Sequence, residues 1–393
     1  MRLRSSLALG GALLLFAGCS FGSEGGEPVS TTSRESAAKE PSSLSAVLYT
    51  IGASTDPYGT NSAPGGFGVV TSLGDRTEAK IEVREPGLGS FGGAEWIDSS
   101  RILVPRGAPP LRRPLIYRFR SGRLEEVGAS PLPRIHVKQA WSPDGALIAS
   151  QPIVRCEPEQ RTLYECYRQP GVVFVQRADG SGRRKVWDGH FSSWAPDGRL
   201  LVTDRVRQDR FEALDVETSE RELALDPKRI AVEAGVRRIW GLGAPRWSAD
   251  GRFLAASAGI IWPDRKRRLS TIVVAQSDGD VVRFLTSPYV ISMFAWSPVG
   301  HRLAYTTSGF PDPHELFVLH EPTAKPVRLF VSGDRHFDWI TWSPGGRRLL
   351  LDDETDGTWR RLSVEGTAGG RAVPRLGGRP IWCCPVNSYA TNG

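Results

Sequence analysis

The chain has 393 residues, with 50 Lys and Arg against 43 Asp and Glu, for a formal net charge of +7. The excess is mostly Arg and is spread along the chain. Its clusters, Arg183-Arg-Lys185 and Arg265-Lys-Arg-Arg268, are not interleaved with stacking aromatics, which argues against nucleic acid as a partner.

Met1-Arg-Leu-Arg4 followed by the apolar stretch from Leu7 to Ala17 reads as a secretory signal. It is too short for a membrane span, and no other stretch is long and apolar enough. Leu15-Phe-Ala-Gly-Cys19 resembles a bacterial lipoprotein box, although Phe16 stands where that family usually has Leu. The resemblance implies cleavage after residue 18, lipidation of Cys19, and a protein anchored on the extracytoplasmic face of the cell membrane. Loss of Arg2 and Arg4 lowers the formal charge to +5. Residues 19–44 are rich in Ser, Gly, Glu and Thr and almost empty of large apolar side chains. Such a segment buries too little to fold and reads as a flexible tether. Residues 45–393 are left for the folded domain.

Three strands open that domain: Ala46-Val-Leu-Tyr-Thr-Ile51, Gly66-Phe-Gly-Val-Val-Thr71 and Lys80-Ile-Glu-Val83. A repeat then begins. Glu95-Trp96-Ile-Asp-Ser-Ser-Arg-Ile-Leu-Val104 is a degenerate copy. Five sharper copies follow: Trp141-Ser-Pro-Asp-Gly145, Trp194-Ala-Pro-Asp-Gly198, Trp247-Ser-Ala-Asp-Gly251, Trp296-Ser-Pro-Val-Gly300 and Trp342-Ser-Pro-Gly-Gly346. Their tryptophans are 53, 53, 49 and 46 residues apart, a period that marks a repeat architecture. Pro presets φ for a type I turn, Asp suits the next position and Gly closes it. Each copy places a short apolar run before the turn and strand-like runs after it, such as Arg302-Leu-Ala-Tyr305, Glu315-Leu-Phe-Val-Leu319 and Val327-Arg-Leu-Phe330. Four short strands per copy describe a β-propeller blade. Arg379-Pro-Ile-Trp382 supplies a last strand that pairs with the first three and closes the ring. The expected fold is all-β, a β-propeller of seven four-stranded blades, with six the alternative.

The turn resembles that of the TolB-type propeller, whose blades carry W-S-P-D-G between their first and second strands. The resemblance covers roughly residues 90–385. It implies that each Trp packs between neighbouring blades. It implies a fold and leaves the activity open, since folds of this kind host binding proteins and enzymes alike.

Four further cysteines favour disulfides in an exported chain. Cys156 and Cys166 flank a polar insertion, Glu157 to Glu165, and bridging them would staple a loop for about 2–3 kcal/mol. Cys383 and Cys384 are adjacent, as a vicinal disulfide or as buried thiols. No CxxC or neighbouring His supports a metal site, and no cofactor is expected.

No G-x-S-x-G elbow, H-E-x-x-H, P-loop or dinucleotide fingerprint is present. The chain is too short to add a hydrolase domain to the propeller. His136, His190 and His336 lie five, four and six residues before Trp141, Trp194 and Trp342, near the starts of innermost strands where blades converge. Arg238, Trp240 and Tyr289 occupy comparable loops. These six form the candidate binding set. The insertion Asp226 to Pro245 is read as a long loop feeding the same face. The first functional reading is a non-enzymatic, monomeric scaffold for an envelope protein or cell-wall polymer. The others are an exported lyase or metal-assisted hydrolase with the three histidines in its site, and a small-molecule sensor.

Overall fold

The computed structural model describes residues 46–51, 66–71, 79–84, 95–97, 100–104, 115–120, 123–131, 137–152, 171–204, 210–243, 245–261, 268–287, 290–308, 314–332, 337–353, 357–365, 370–374 and 380–382. They belong to the compact unit Glu40–Gly393 and form a β-propeller. β1 (Ala46–Ile51), β2 (Gly66–Thr71) and β3 (Ala79–Arg84) make the first unit, and β4 (Glu95–Trp96), β5 (Arg101–Val104), β6 (Leu115–Arg120) and β7 (Arg123–Ala129) the second. β8 (Val137–Trp141), β9 (Leu147–Pro152) and β10 (Val172–Arg177) lead into the 11-residue β11 (Arg184–Trp194).

β11 serves two units at once. Residues 184–188 pair with β10, and residues 189–194 pair with β12 (Leu200–Asp204), which continues into β13 (Phe211–Leu214) and β14 (Arg221–Leu225). The sequence reading placed separate strands here. A single strand can leave one ladder and join the next because Gly189 sits at the crossing with φ +153°, where a Cβ would come within 2.2 Å of Thr203 O.

Helix α1 (Pro227–Glu233) follows. The fifth unit contains β15 (Arg238–Trp240), β16 (Arg246–Trp247), β17 (Phe253–Ile261), β18 (Arg268–Gln276) and β19 (Val281–Thr286). The sixth contains β20 (Val290–Trp296), β21 (Leu303–Ser308), β22 (His314–Leu319) and β23 (Val327–Ser332). The seventh contains β24 (Phe337–Trp342), β25 (Arg348–Asp353), β26 (Thr358–Ser363) and β27 (Arg371–Pro374). β28 (Pro380–Trp382) returns to pair antiparallel with β1, Val47 opposite Trp382. The expected closure by the two ends of the domain is therefore present.

The segment Asp226 to Pro245, expected as a loop, is largely ordered secondary structure. Asp226 caps α1 through Lys228 N at 2.8 Å, and Pro227 opens it, both standard helix starts. β15 and β16 both pair with β17, so one inner strand is interrupted by a bulge between Trp240 and Arg246.

The repeated turn has one construction. Gly145, Gly198, Gly251 and Gly346 donate their N–H to the carbonyl three residues back, at 2.8–3.0 Å. All four have φ between +65° and +90°, which a side chain would strain. In most copies the Ser after the Trp is buried and folds back on the turn. Ser142 Oγ accepts from Leu147 N at 2.8 Å and donates to Asp144, and Ser248 does the same with Phe253 N and Asp250.

Each Trp packs into the unit before it. Trp141 joins Leu103 and Ile116, Trp194 joins Ala149 and Val173, and Trp247 joins Leu201 and Phe211. Trp296 packs with Ala255 and Ile272, and Trp342 with Ala304 and Leu316. Burying an aromatic of this size contributes several kcal/mol. The indoles also link the inner strands, since Trp194, Trp296 and Trp342 donate to Ala140 O, Arg246 O and Ala295 O at 2.8–2.9 Å. Each acceptor immediately precedes a Trp of the preceding unit. Trp247 differs: among the described residues its buried Nε1 has no acceptor. There the bulge brings Pro245 O to Ser192 Oγ at 2.9 Å, and this bond joins the units instead.

Candidate functional site

The antiparallel ladders give the propeller two unlike faces. First strands end at the Trp turns on one, the turn face. On the other, the loop face, first strands begin and second strands end.

The turn face is tied to itself. His301 Nδ1 lies 2.7 Å from Asp250 Oδ2 of the previous turn, and its Nε2 lies 2.5 Å from Glu321 Oε2. Burial opposes charge on this imidazole, but the hydrogen bonds to Asp250 and Glu321 outweigh it and hold His301 above the usual range. Asp250 is held low: burial opposes its charge, and hydrogen bonds from Ser248, His301 and Arg252 N prevail. Arg302 Nη1 donates to Gly346 O at 3.0 Å, and Arg101 stacks on Trp141 at 5.3 Å.

On the loop face, His190 lies within the continuous β11, where pairing passes from β10 to β12, opposite Thr203; the sequence reading put it near the start of an inner strand. Its Nδ1 is 2.5 Å from Gln151 Nε2, at the end of β9. With the amide donating, the neutral ring carries its proton on Nε2. Arg238 is exposed and pairs in register with Ile261, and Trp240 with Gly259. Both therefore sit on an inner strand instead of the expected loop, because residues 238–240 extend the β17 ladder. His136, Tyr289, His336, Cys19, Cys156, Cys166, Cys383 and Cys384 lie outside the described residues.

Sequence reasoning missed a second polar cluster between the sixth and seventh units. Asp352 and Asp353 are fully buried at the end of β25. Asp353 Oδ2 is 3.5 Å from Arg360 Nη2, and the guanidinium stacks on Phe330 at 5.1 Å. Phe330 meets Phe337 edge-on at 5.5 Å, and buried His314 faces Phe337 at 6.4 Å. The available signal was the abrupt switch from Leu349-Leu-Leu351 to two carboxylates within one strand. The Asp353–Arg360 pair and the rings beside it form a buried polar cluster at a loop-face strand end. Among the described residues no group of three His, Cys, Asp or Glu side chains could hold a metal ion. No described helix is long and apolar enough to cross a membrane.

No family model matches the chain, and no curated protein matches it. Solved structures do. TolB from Acinetobacter baumannii is 15% identical, with a TM-score of 0.43 over 82% of this chain and 80% of that one. A candidate 6-phosphogluconolactonase from Bacteroides uniformis is 13% identical, with a TM-score of 0.50 over 86% of this chain and 98% of that one. The β-propeller domain of Swd1 from Myceliophteria thermophila is 10% identical, with a TM-score of 0.44 over 72% and 86%. Likeness at these identities concerns the fold alone.

Proposed function

We propose that this chain is a lipid-anchored, non-enzymatic binding protein of the cell envelope. It is a seven-bladed propeller whose loop face holds an envelope protein or cell-wall polymer. The observation that carries this reading is the asymmetry of the faces. The turn face spends its polar groups on itself through His301, Asp250, Glu321 and Arg302. The loop face gathers His190 with Gln151, exposed Arg238, and the Asp353–Arg360 cluster at strand ends. Rigid strands presenting polar side chains to connecting loops suit recognition. A Cys156–Cys166 disulfide in the insertion between β9 and β10 belongs to this proposal. Cys19 carries the lipid, and residues 19–44 let the propeller reach its partner.

The test is capture from the protein's own membrane fraction by the tagged mature chain, with the captured species identified by mass spectrometry. The double variant H136A/H336A should lose the main species, while the exposed turn-face variant R347A should retain it. Loss with R347A and retention with H136A/H336A would move binding to the turn face.

A further inference from the structure

Arg246 departs from its own repeat. It directly precedes Trp247, and the equivalent positions before Trp141, Trp194, Trp296 and Trp342 are Ala140, Ser193, Ala295 and Thr341. A long cation has replaced a small or hydroxyl side chain at the turn-face end of an inner strand.

No described acid neutralises it. Arg246 is half-buried, and its guanidinium lies 5.8 Å above the ring of Phe294 in the next unit. Among the described residues it has no carboxylate partner and its N–H groups make no hydrogen bond. Other arginines of the propeller do reach acids: Arg199 pairs with Asp197 and Glu222, and Arg328 with Glu315. Burial, with nothing to offset it, holds the Arg246 guanidinium below the usual arginine range. A desolvated cation without a counter-charge is costly to a fold.

The group is also held in place. Its carbonyl accepts from Trp296 Nε1 at 2.8 Å, Pro245 O before it accepts from Ser192 Oγ at 2.9 Å, and the residue pairs in register with Ala255. Phe294 extends outward, in ladder register, to Tyr305 and then Phe317. The guanidinium rests on the inner end of this aromatic row. A guanidinium held over a ring keeps its N–H donors in a planar fork, which matches the two oxygen atoms of a carboxylate or phosphate.

We propose that Arg246 is an anion-binding residue, taking the oxyanion of a small carboxylate- or phosphate-bearing ligand at the inner edge between the fifth and sixth units. This site is on the opposite side of the propeller from the loop face and does not depend on the partner proposed above.

The test uses the full mature chain in sodium chloride, sodium acetate or sodium phosphate at matched ionic strength, read by thermal unfolding and titration calorimetry. The wild type should show a saturable rise in Tm with acetate or phosphate over chloride, as ligand binding to the folded state requires. A rise with phosphate alone assigns phosphate, and a rise with acetate assigns carboxylate. R246Q should abolish that rise and should melt no lower than wild type in chloride, because an unpaired charge has been removed. R246K keeps the charge but loses the fork, and should weaken the anion by about ten-fold. No anion-specific rise in the wild type would overturn the proposal, as would an undiminished rise in R246Q. So would a lower Tm of R246Q in chloride, which marks a purely structural arginine.

Discussion

Trp194 Nε1 donates to the carbonyl of Ala140 at 2.9 Å, linking two residues 54 positions apart. Ala140 immediately precedes Trp141, and Arg246 and Ala295, which precede Trp247 and Trp296, serve Trp296 and Trp342 in the same way. Trp194→Phe keeps most of the apolar burial and leaves Ala140 O without this donor. A loss of about 1–3 kcal/mol is expected from the orphaned buried carbonyl, whereas Trp194→Ala should cost about 3–5 kcal/mol. Urea unfolding of the two variants checks both values. Trp247→Phe is the control, since among the described residues Trp247 Nε1 has no acceptor to lose.

The His301 staple should make stability depend on pH. Its folded pKa is raised, so its contribution is full below the unfolded value near 6.5 and is lost as pH rises through the folded value. Asp250 is lowered, so its contribution is present above about pH 4 and is lost in acid. The staple is therefore strongest between about pH 4 and 6.5. Relative to H301Q, the wild type should gain up to about 1 kcal/mol at pH 5.5, since Glu321 is solvent-exposed and the pair is screened. That gain should vanish by about pH 9. Melting curves of both proteins across this range decide it, and a gap independent of pH would refute the staple.

Two glycines with positive φ separate conformational strain from collision. At Gly198, φ is +90° and nothing lies within 4 Å of an added Cβ, so Gly198→Ala should cost about 1–2 kcal/mol through backbone strain alone. At Gly189 the same methyl meets Thr203 O at 2.2 Å and Trp187 Nε1 at 2.7 Å. Gly189→Ala should cost more than about 3 kcal/mol, and hydrogen exchange should rise most in the β11–β12 ladder. Equal losses at the two sites would place the strand crossing elsewhere.

Cys19→Ala addresses the anchor. The variant should accumulate as uncleaved precursor and leave the detergent phase in a partition assay, while the wild type stays in it. Unchanged partition in Cys19→Ala would refute lipidation at this residue.

The repeat was legible because one motif carries several jobs at once. The Trp fills the neighbouring unit, the Ser closes the turn, and the Gly takes a conformation other residues resist. Closure of β28 onto β1 followed from the unpaired strands at either end of the repeat. Features set by local departures from the repeat were harder to read. The continuous β11 depends on Gly189, which in sequence looks like any strand-end glycine. β15 carries no turn after its Trp240, so its pairing with β17 was hidden, although Asp226-Pro227 announced the helix before it. His301 and Asp250 are 51 positions apart and meet only because successive turns lie side by side. The buried Asp352 and Asp353 require knowledge of where β25 ends relative to its neighbours. Half of the candidate binding set falls in segments outside the described residues, so the ladder fixes only where their strands begin.

The pairing of Val47 with Trp382 also governs the order in which this molecule can be completed. β1 has a permanent partner on one side, β28, that lies more than 300 residues further along the chain. Until β28 arrives, β1 presents a bare row of amides and carbonyls, the kind of edge that recruits strands from other molecules. Newly made chains therefore pass through an interval in which self-association competes with completion. The length of that interval is set by the distance along the polypeptide between these two strands, whatever the stability of the finished ring.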